Sequence, residues 1–450
     1  MKKLIVMLCM VIFLCGCAQE ETAGISEVEV EEELPKYHTD GRLILTFATS
    51  NLHKEDKAAI NNFNSQNEDY YIEIIDYCED GDIAAGYEQF NLDLVNGQAG
   101  DILAVDSNRY ENYIQLGVYE DLYPYMENDE DIHMEDYWES IISACESDGK
   151  LYYLPTIFTV NAVFGYAKDW QESDTILLDE TMALMQKRGE DTKLFDGLTK
   201  TSFIEYILDN AEDEYINWDM GECYFDSEEF VKVLEMANTL PDERINDEEN
   251  VVSKLRRGNV LLYEQRFGHI MDAQAINAIF EDEVVMLNYP GATRAGNTMN
   301  MYLTYAINSN SRNKEGAWQF IKYLMSEECQ KSQHRSLSTM FPLRKDVFEA
   351  QIEEEAIARI DVDAEGNKVE EPFLYGIDGV TFELYTATEE EEELLRQVVE
   401  SVIHVNKNNY MISGIVLEEA AAYFAGQKTA EEVATIIQSR IQVYISETKG

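Results

Sequence analysis

The feature that most constrains this chain is the alternation of strand-like and helix-like segments between Arg42 and Val105. Arg42–Thr49 (RLILTFAT) follows Asp40-Gly41 and reads as a β-strand. Lys54–Gln66 places Ala58, Ala59, Ile60 and Phe63 at helical spacing. Tyr70–Tyr77 (YYIEIIDY) reads as a second strand, Gln89–Asn96 as a second helix and Asp101–Val105 as a third strand. Strand, helix, strand, helix, strand implies an α/β fold with a parallel sheet and crossover helices. In open parallel sheets, ligands bind beyond the carboxyl ends of the strands. That rule directs attention to Ser50 and Asn51, and to Asp106 through Arg109.

A chain of 450 residues is too long for one ordinary core, so two domains are expected. Lys150–Pro155 and Thr156–Ala167 form a long extended region that carries the chain into a second lobe. Further helices are expected at Asp226–Leu240, where Ser227 can cap, and at Glu315–Ser326. Others are expected at Glu389–Val402 behind Thr388, at Ile415–Phe424 and at Ala430–Glu447. Asn259–Tyr263 (NVLLY) and Met301–Asn308 (MYLTYAIN) read as strands. No repeat of 20–50 residues is visible, and no Pro-rich or Gly/Ser-rich linker divides the folded region. Two lobes without a sequential linker imply that the chain crosses between them more than once.

The charge balance is strongly acidic, with 88 Asp and Glu against 34 Lys and Arg. Such a surface repels nucleic acid and anionic lipid headgroups, so neither is an expected partner. Hydrophobic residues make up 45% of the chain, which supplies a large core despite the charge. Of the seven cysteines, Cys9, Cys15 and Cys17 lie at the extreme N-terminus. Cys78, Cys145, Cys223 and Cys329 are scattered without CxxC spacing, which argues against a zinc site.

Residues 1–16 read as a secretory signal, with Lys2 and Lys3 ahead of an apolar run from Leu4 to Leu14. The run falls short of the roughly 20 residues that span a bilayer. It ends in Leu14-Cys15-Gly16-Cys17, which resembles the bacterial lipobox, so Cys17 is the expected lipidation site. Two acyl chains anchor a protein stably where one does not. Residues 17–40 then read as an acidic tether, because the like charges of Glu27–Leu34 (EVEVEEEL) extend it.

No catalytic constellation stands out. The sequence has no GxSxG elbow, HExxH, P-loop or GxGxxG, and its six histidines are isolated. No enzyme activity, cofactor or metal is expected. Asp361–Gly366 mimics the start of an EF-hand loop, but its twelfth position is Pro372 rather than a bidentate Glu, so a surface turn around Gly366-Asn367 is expected. The 27 Tyr, 18 Phe and 4 Trp include candidates for stacking on sugar rings, although a residue such as Trp318 on its helix is expected in the core.

Taken in order, these segments resemble the bacterial extracellular solute-binding proteins of sugar-type ABC importers. The resemblance rests on the lipobox, the tether and Ser50-Asn51. It continues through Gly97–Tyr125, Gly149–Pro155, Phe225–Asn238, Ala306–Glu328, Phe341–Phe348 and Ala425–Glu447. It implies a two-lobe, periplasmic-binding-protein-like α/β fold with a hinge and an inter-lobe cleft. Residues 41–155 with 290–340 would form one lobe, and 156–289 with 341–450 the other. The resemblance implies a monomer that captures a small molecule, an oligosaccharide above all, at the outer face of the cell membrane. The captured ligand would pass to the membrane subunits of the importer. Segment by segment, it places ligand contacts at Ser50, Asn51, Asp106, Asn108, Arg109, Thr159, Asn161, Gln265, Arg266, Phe267, Tyr410 and Ser413. The maltose-binding branch carries Trp, Asp and Arg after the third strand. Val105, Asn108 and Arg109 stand there in this chain, and retention of the Arg alone argues against a maltodextrin. A peptide or a cationic metabolite as ligand, and a secreted glycan hydrolase, remain open alternatives.

Overall fold

The computed structural model describes residues 35–449, apart from 106–109, 171–176, 190, 245–248, 290, 292–295, 364 and 408. The expected signal, Cys17, most of the tether, Asp106, Asn108 and Arg109 therefore lie outside the described residues.

A nine-stranded mixed sheet organises the molecule. β1 (Leu43–Thr49) pairs in parallel with β2 (Tyr70–Asp76) and with β3 (Ile102–Ala104). The crossovers are the helices Lys54–Gln66 and Ile83–Val95, the second beginning six residues before the expected one. Asp82 caps it by accepting from the Ala85 N–H, which moves its start into a stretch without apolar periodicity. The 13-residue β4 (Leu154–Tyr166) is buried at all but one position. β5 (Leu262–Phe267), β6 (Val284–Leu287), β7 (Asn297–Ile307) and β8 (Phe341–Pro342) all pair with β4 antiparallel. β7 also pairs antiparallel with β3, and β9 (Val402–Val405) pairs with β7 in parallel.

Alternation along β4 decides what each face does. Phe158, Val160, Ala162 and Phe164, with Phe267 on β5 and Met299 on β7, sink into one apolar cluster. That cluster also takes Leu45, Phe47 and Ile102 from the parallel strands and Phe63, Ile276 and Phe320 from helices. On the opposite face, Val163 and Leu262 enter a second cluster with Phe203, Ile207, Phe230, Val416 and Ile437. The two clusters therefore share strand β4. Phe267, Ile276, Phe280, Phe341, Phe348 and Val398 belong to the first cluster, whereas the lobe ranges given above grouped them with 156–240 and the C-terminal helices.

Local chemistry accounts for the remaining elements. Ser227 caps Glu228–Asn238, and Thr388 forms a capping box with Glu391 at the start of Glu389–Glu400. Gly268 follows β5 where a Cβ would come within 1.8 Å of the Thr339 carbonyl oxygen, so only glycine fits. Trp318 is 2% exposed and donates its indole N–H to Asp129 at 2.9 Å. The EF-hand-like stretch is a hairpin of Arg359–Val362 and Lys368–Glu371, turning at Gly366 with φ of 86°. Among the described residues, no helix is long and apolar enough to cross a membrane.

Candidate ligand-binding cleft

At the carboxyl end of β1, Ser50 and Asn51 open onto a cavity of about 350 Å³. The first turn of Lys54–Gln66 fixes the next residue: buried Asp56 accepts from the His53 N–H at 3.0 Å and from the Tyr305 hydroxyl at 2.7 Å. Burial raises the Asp56 pKa. The His53 ring is thereby held between the Asn51 amide, 3.3 Å from Nε2, and the Tyr302 hydroxyl, 3.3 Å from Nδ1. Its centroid lies 5.0 Å from that of Tyr302, which is exposed and presents an aromatic wall. Thr304 lines the same cavity, 3% exposed, and among the described residues its hydroxyl has no hydrogen-bond partner.

Antiparallel pairing assembles the second group, because opposed residues share a face. Thr159 lies opposite Asn300, and Asn161 lies opposite both Thr298 and Arg266. The Asn300 amide donates to Asn161 Oδ1 at 3.1 Å and to Thr159 Oγ1 at 3.4 Å. Glu264 falls on this face too, opposite Val163, and accepts from the Tyr289 hydroxyl at 3.1 Å. Burial raises the Glu264 pKa. Asp209, on the helix Lys200–Ala211, is pushed up to about 6, first by burial and then by the charges of Glu205 and Glu264. A cavity of about 480 Å³ extends from Glu264 past Tyr206 and Phe195 to Arg244. The Tyr206 hydroxyl is buried and, among the described residues, unpartnered.

The structure thus places Ser50 and Asn51 at the first cavity, and Thr159, Asn161 and Arg266 on the polar stripe. It turns Gln265 and Phe267 the other way: Phe267 is fully buried in the first cluster, and Gln265 donates to buried Asp272 at 3.1 Å. Those two are corrected from ligand contacts to core residues, by strand alternation. Tyr410 stands exposed at the head of Tyr410–Phe424, Ser413 is buried on that helix, and neither lines either cavity. Sequence reasoning passed over His53, Tyr302, Asn300, Glu264 and Asp209. Asn300 and Glu264 each lie inside a strand whose polar end looked like loop. The capping box of His53 with Asp56 was a readable signal, since Asp stands three residues beyond the cap.

Residues 58–359 match the family model described as bacterial extracellular solute-binding protein. The chain belongs to that family. No curated protein matches this solute-binding protein significantly. Its fold is shared with the sugar-binding protein MalE of Xanthomonas citri, at 14% identity, 90% coverage of this chain, 98% of that chain and a TM-score of 0.54. A family 1 extracellular solute-binding protein from Bifidobacterium longum subsp. infantis matches at 14% identity, covering 89% and 99% of the two chains, with a TM-score of 0.53. The cyclic alpha-maltosyl-1,6-maltose binding protein of Arthrobacter globiformis matches at 11% identity, covering 90% and 100%, with a TM-score of 0.51. The architecture is the two-lobe one of these binding proteins.

Proposed function

We propose that this solute-binding protein captures a carbohydrate between its two cores and delivers it to the membrane subunits of an ABC importer, tethered to the extracellular face through diacylated Cys17. The observation that carries the ligand class is the stripe of neutral hydroxyls and amides formed by Thr159, Asn161 and Asn300. Polyhydroxylated ligands exchange hydrogen bonds with such groups in both directions, whereas a cation would be held by fixed negative charge. The Tyr302 and His53 rings add a face on which a sugar's C–H surface can stack, and Arg266 adds a fork of donors. Two of the structural neighbours are named for sugars, which agrees with this reading.

The carboxyls of Glu264 and Asp209 favour a second reading, a cationic metabolite. A thermal-shift and titration screen of the Cys17→Ser chain separates the two. The panel comprises linear and cyclic oligosaccharides, tripeptides and spermidine. A cognate oligosaccharide at about 100 times its Kd raises stability by roughly 2.7 kcal/mol. Stabilisation by spermidine alone, or by peptides alone, overturns the carbohydrate reading.

A further inference from the structure

Lys407 stands where the chain passes from one core to the other. Val405 of β9 lies in the first cluster, and Ile412 lies in the second. The Lys407 ammonium pairs with Glu111 on the helix Tyr110–Gln115, whose Tyr110, Tyr113 and Ile114 belong to the first cluster. It also reaches Asp213 at 3.4 Å, in the turn between the helix Lys200–Ala211 and Tyr215 of the second cluster. Asp213 in turn meets His404 at 3.1 Å, and the ammonium lies 5.5 Å from the Tyr110 ring centroid. The backbone repeats the pattern. The Lys407 N–H donates to the Asp209 carbonyl at 3.1 Å, and the Asn406 N–H donates to the Met299 carbonyl at 2.8 Å. One largely buried side chain and its adjoining backbone therefore clasp both cores.

We propose that Lys407 is a positioning residue that forms the pivot about which the two cores rotate when the cleft closes. Side-chain exposures of 11% for Lys407, 13% for Glu111 and 24% for Asp213 leave little solvent to replace a lost partner. Drawing Glu111 away from Lys407 would separate a largely buried carboxylate from its cation, which costs more than opening an exposed pair. Rotation that keeps this point fixed avoids the cost and is the hinge type of closure. The backbone contact also reaches toward the polar residues: Lys407 holds the carbonyl of Asp209, whose carboxyl feels the charge of Glu264. Lys407 itself touches no ligand in this scheme. The inference deepens the proposed function and rests on its reading of a ligand captured between the two cores.

Small-angle scattering and calorimetry on the whole Cys17→Ser chain test the pivot. Lys407→Met removes the charge at similar length, Lys407→Arg keeps it, and Lys407→Met with Glu111→Gln and Asp213→Asn neutralises the cluster without stranding a charge. In the ligand-free state, Lys407→Met or the triple variant is expected to change the radius of gyration, and Lys407→Arg to restore it. With the best-binding oligosaccharide, affinity is expected to fall roughly tenfold, within the usual range of inter-site coupling. A lower melting point with unchanged scattering and unchanged affinity reduces Lys407 to a structural ion pair and overturns the proposal. If Lys407→Met fails to fold, the triple variant decides. If no carbohydrate binds the wild type, the function reading fails, and the ligand-free scattering profiles alone decide whether the pivot stands.

Discussion

Asn300 shows how much one side chain can carry when two strands hold it. Its amide is shared between Thr159 and Asn161, so it orients both. Asn300→Ala is expected to weaken oligosaccharide binding by about 1–2 kcal/mol, the scale of one well-placed hydrogen bond and its unmet partners, with little change in ligand-free melting. Isothermal titration with parallel melting curves checks this. Asp209 provides a second test. Its carboxyl, pushed up to about 6, ionises between pH 5 and 7. An ionised carboxylate accepts hydroxyl protons better than a neutral acid. Binding is therefore expected to tighten from pH 5 to pH 7 and to lose that slope in Asp209→Asn. The family resemblance already offers Thr159 and Asn161 as candidates, and the structure sets both on the same stripe as Asn300. Asn300 was not legible, because it lies N-terminal to the apolar stretch that marked its strand.

At the scale of elements, β5 is the instructive case. Its apolar start, Asn259–Tyr263, marked it in the sequence, but the strand runs from Leu262 to Phe267. The polar residues Glu264 and Arg266 alternate with buried Gln265 and Phe267, because one face carries the polar stripe and the other meets the first core. Adjacent positions therefore separate cleanly in experiment. Phe267→Ala is expected to cost about 3–5 kcal/mol of stability in urea unfolding, as large-to-small changes in a packed core do. Arg266→Ala is expected to leave stability within about 0.5 kcal/mol and to lower affinity instead. The reverse pattern would mean that β5 presents its other face to the cleft. Helices with strong caps, such as those behind Ser227 and Thr388, were legible to within about two residues, since their signals are local.

For the whole molecule, the crossing between the cores contains a group that titrates unfavourably. Burial, opposed by nearby Lys407 and reinforced by Asp213, pushes Glu212 up to about 8. Its Oε1 accepts from the Trp218 indole at 3.2 Å, while among the described residues its Oε2 has no partner. A carboxyl raised above its ordinary value of 4.5 stabilises the folded state while protonated, and that contribution disappears as pH rises through about 8. Thermal stability is expected to decline from pH 6 to pH 9 and to decline less in Glu212→Gln; equal slopes would show that Glu212 is not the responsible group. Anchoring is tested at the same scale. Cys17→Ser is expected to abolish labelling by a fatty-acid analogue, and label retained on the variant would refute lipidation at that position. The order of strands and helices, the parallel arrangement at β1 to β3, the absence of a dividing linker and the family resemblance were all determined by the sequence, because hydrophobic period, caps and turn residues act over a few neighbours. Tertiary structure decided which face of β4 and β5 carries the polar stripe, which core each later segment joins, and that Lys407, Glu111 and Asp213 meet. Those outcomes depend on strand register and on contacts between residues far apart in the chain, which no local pattern encodes.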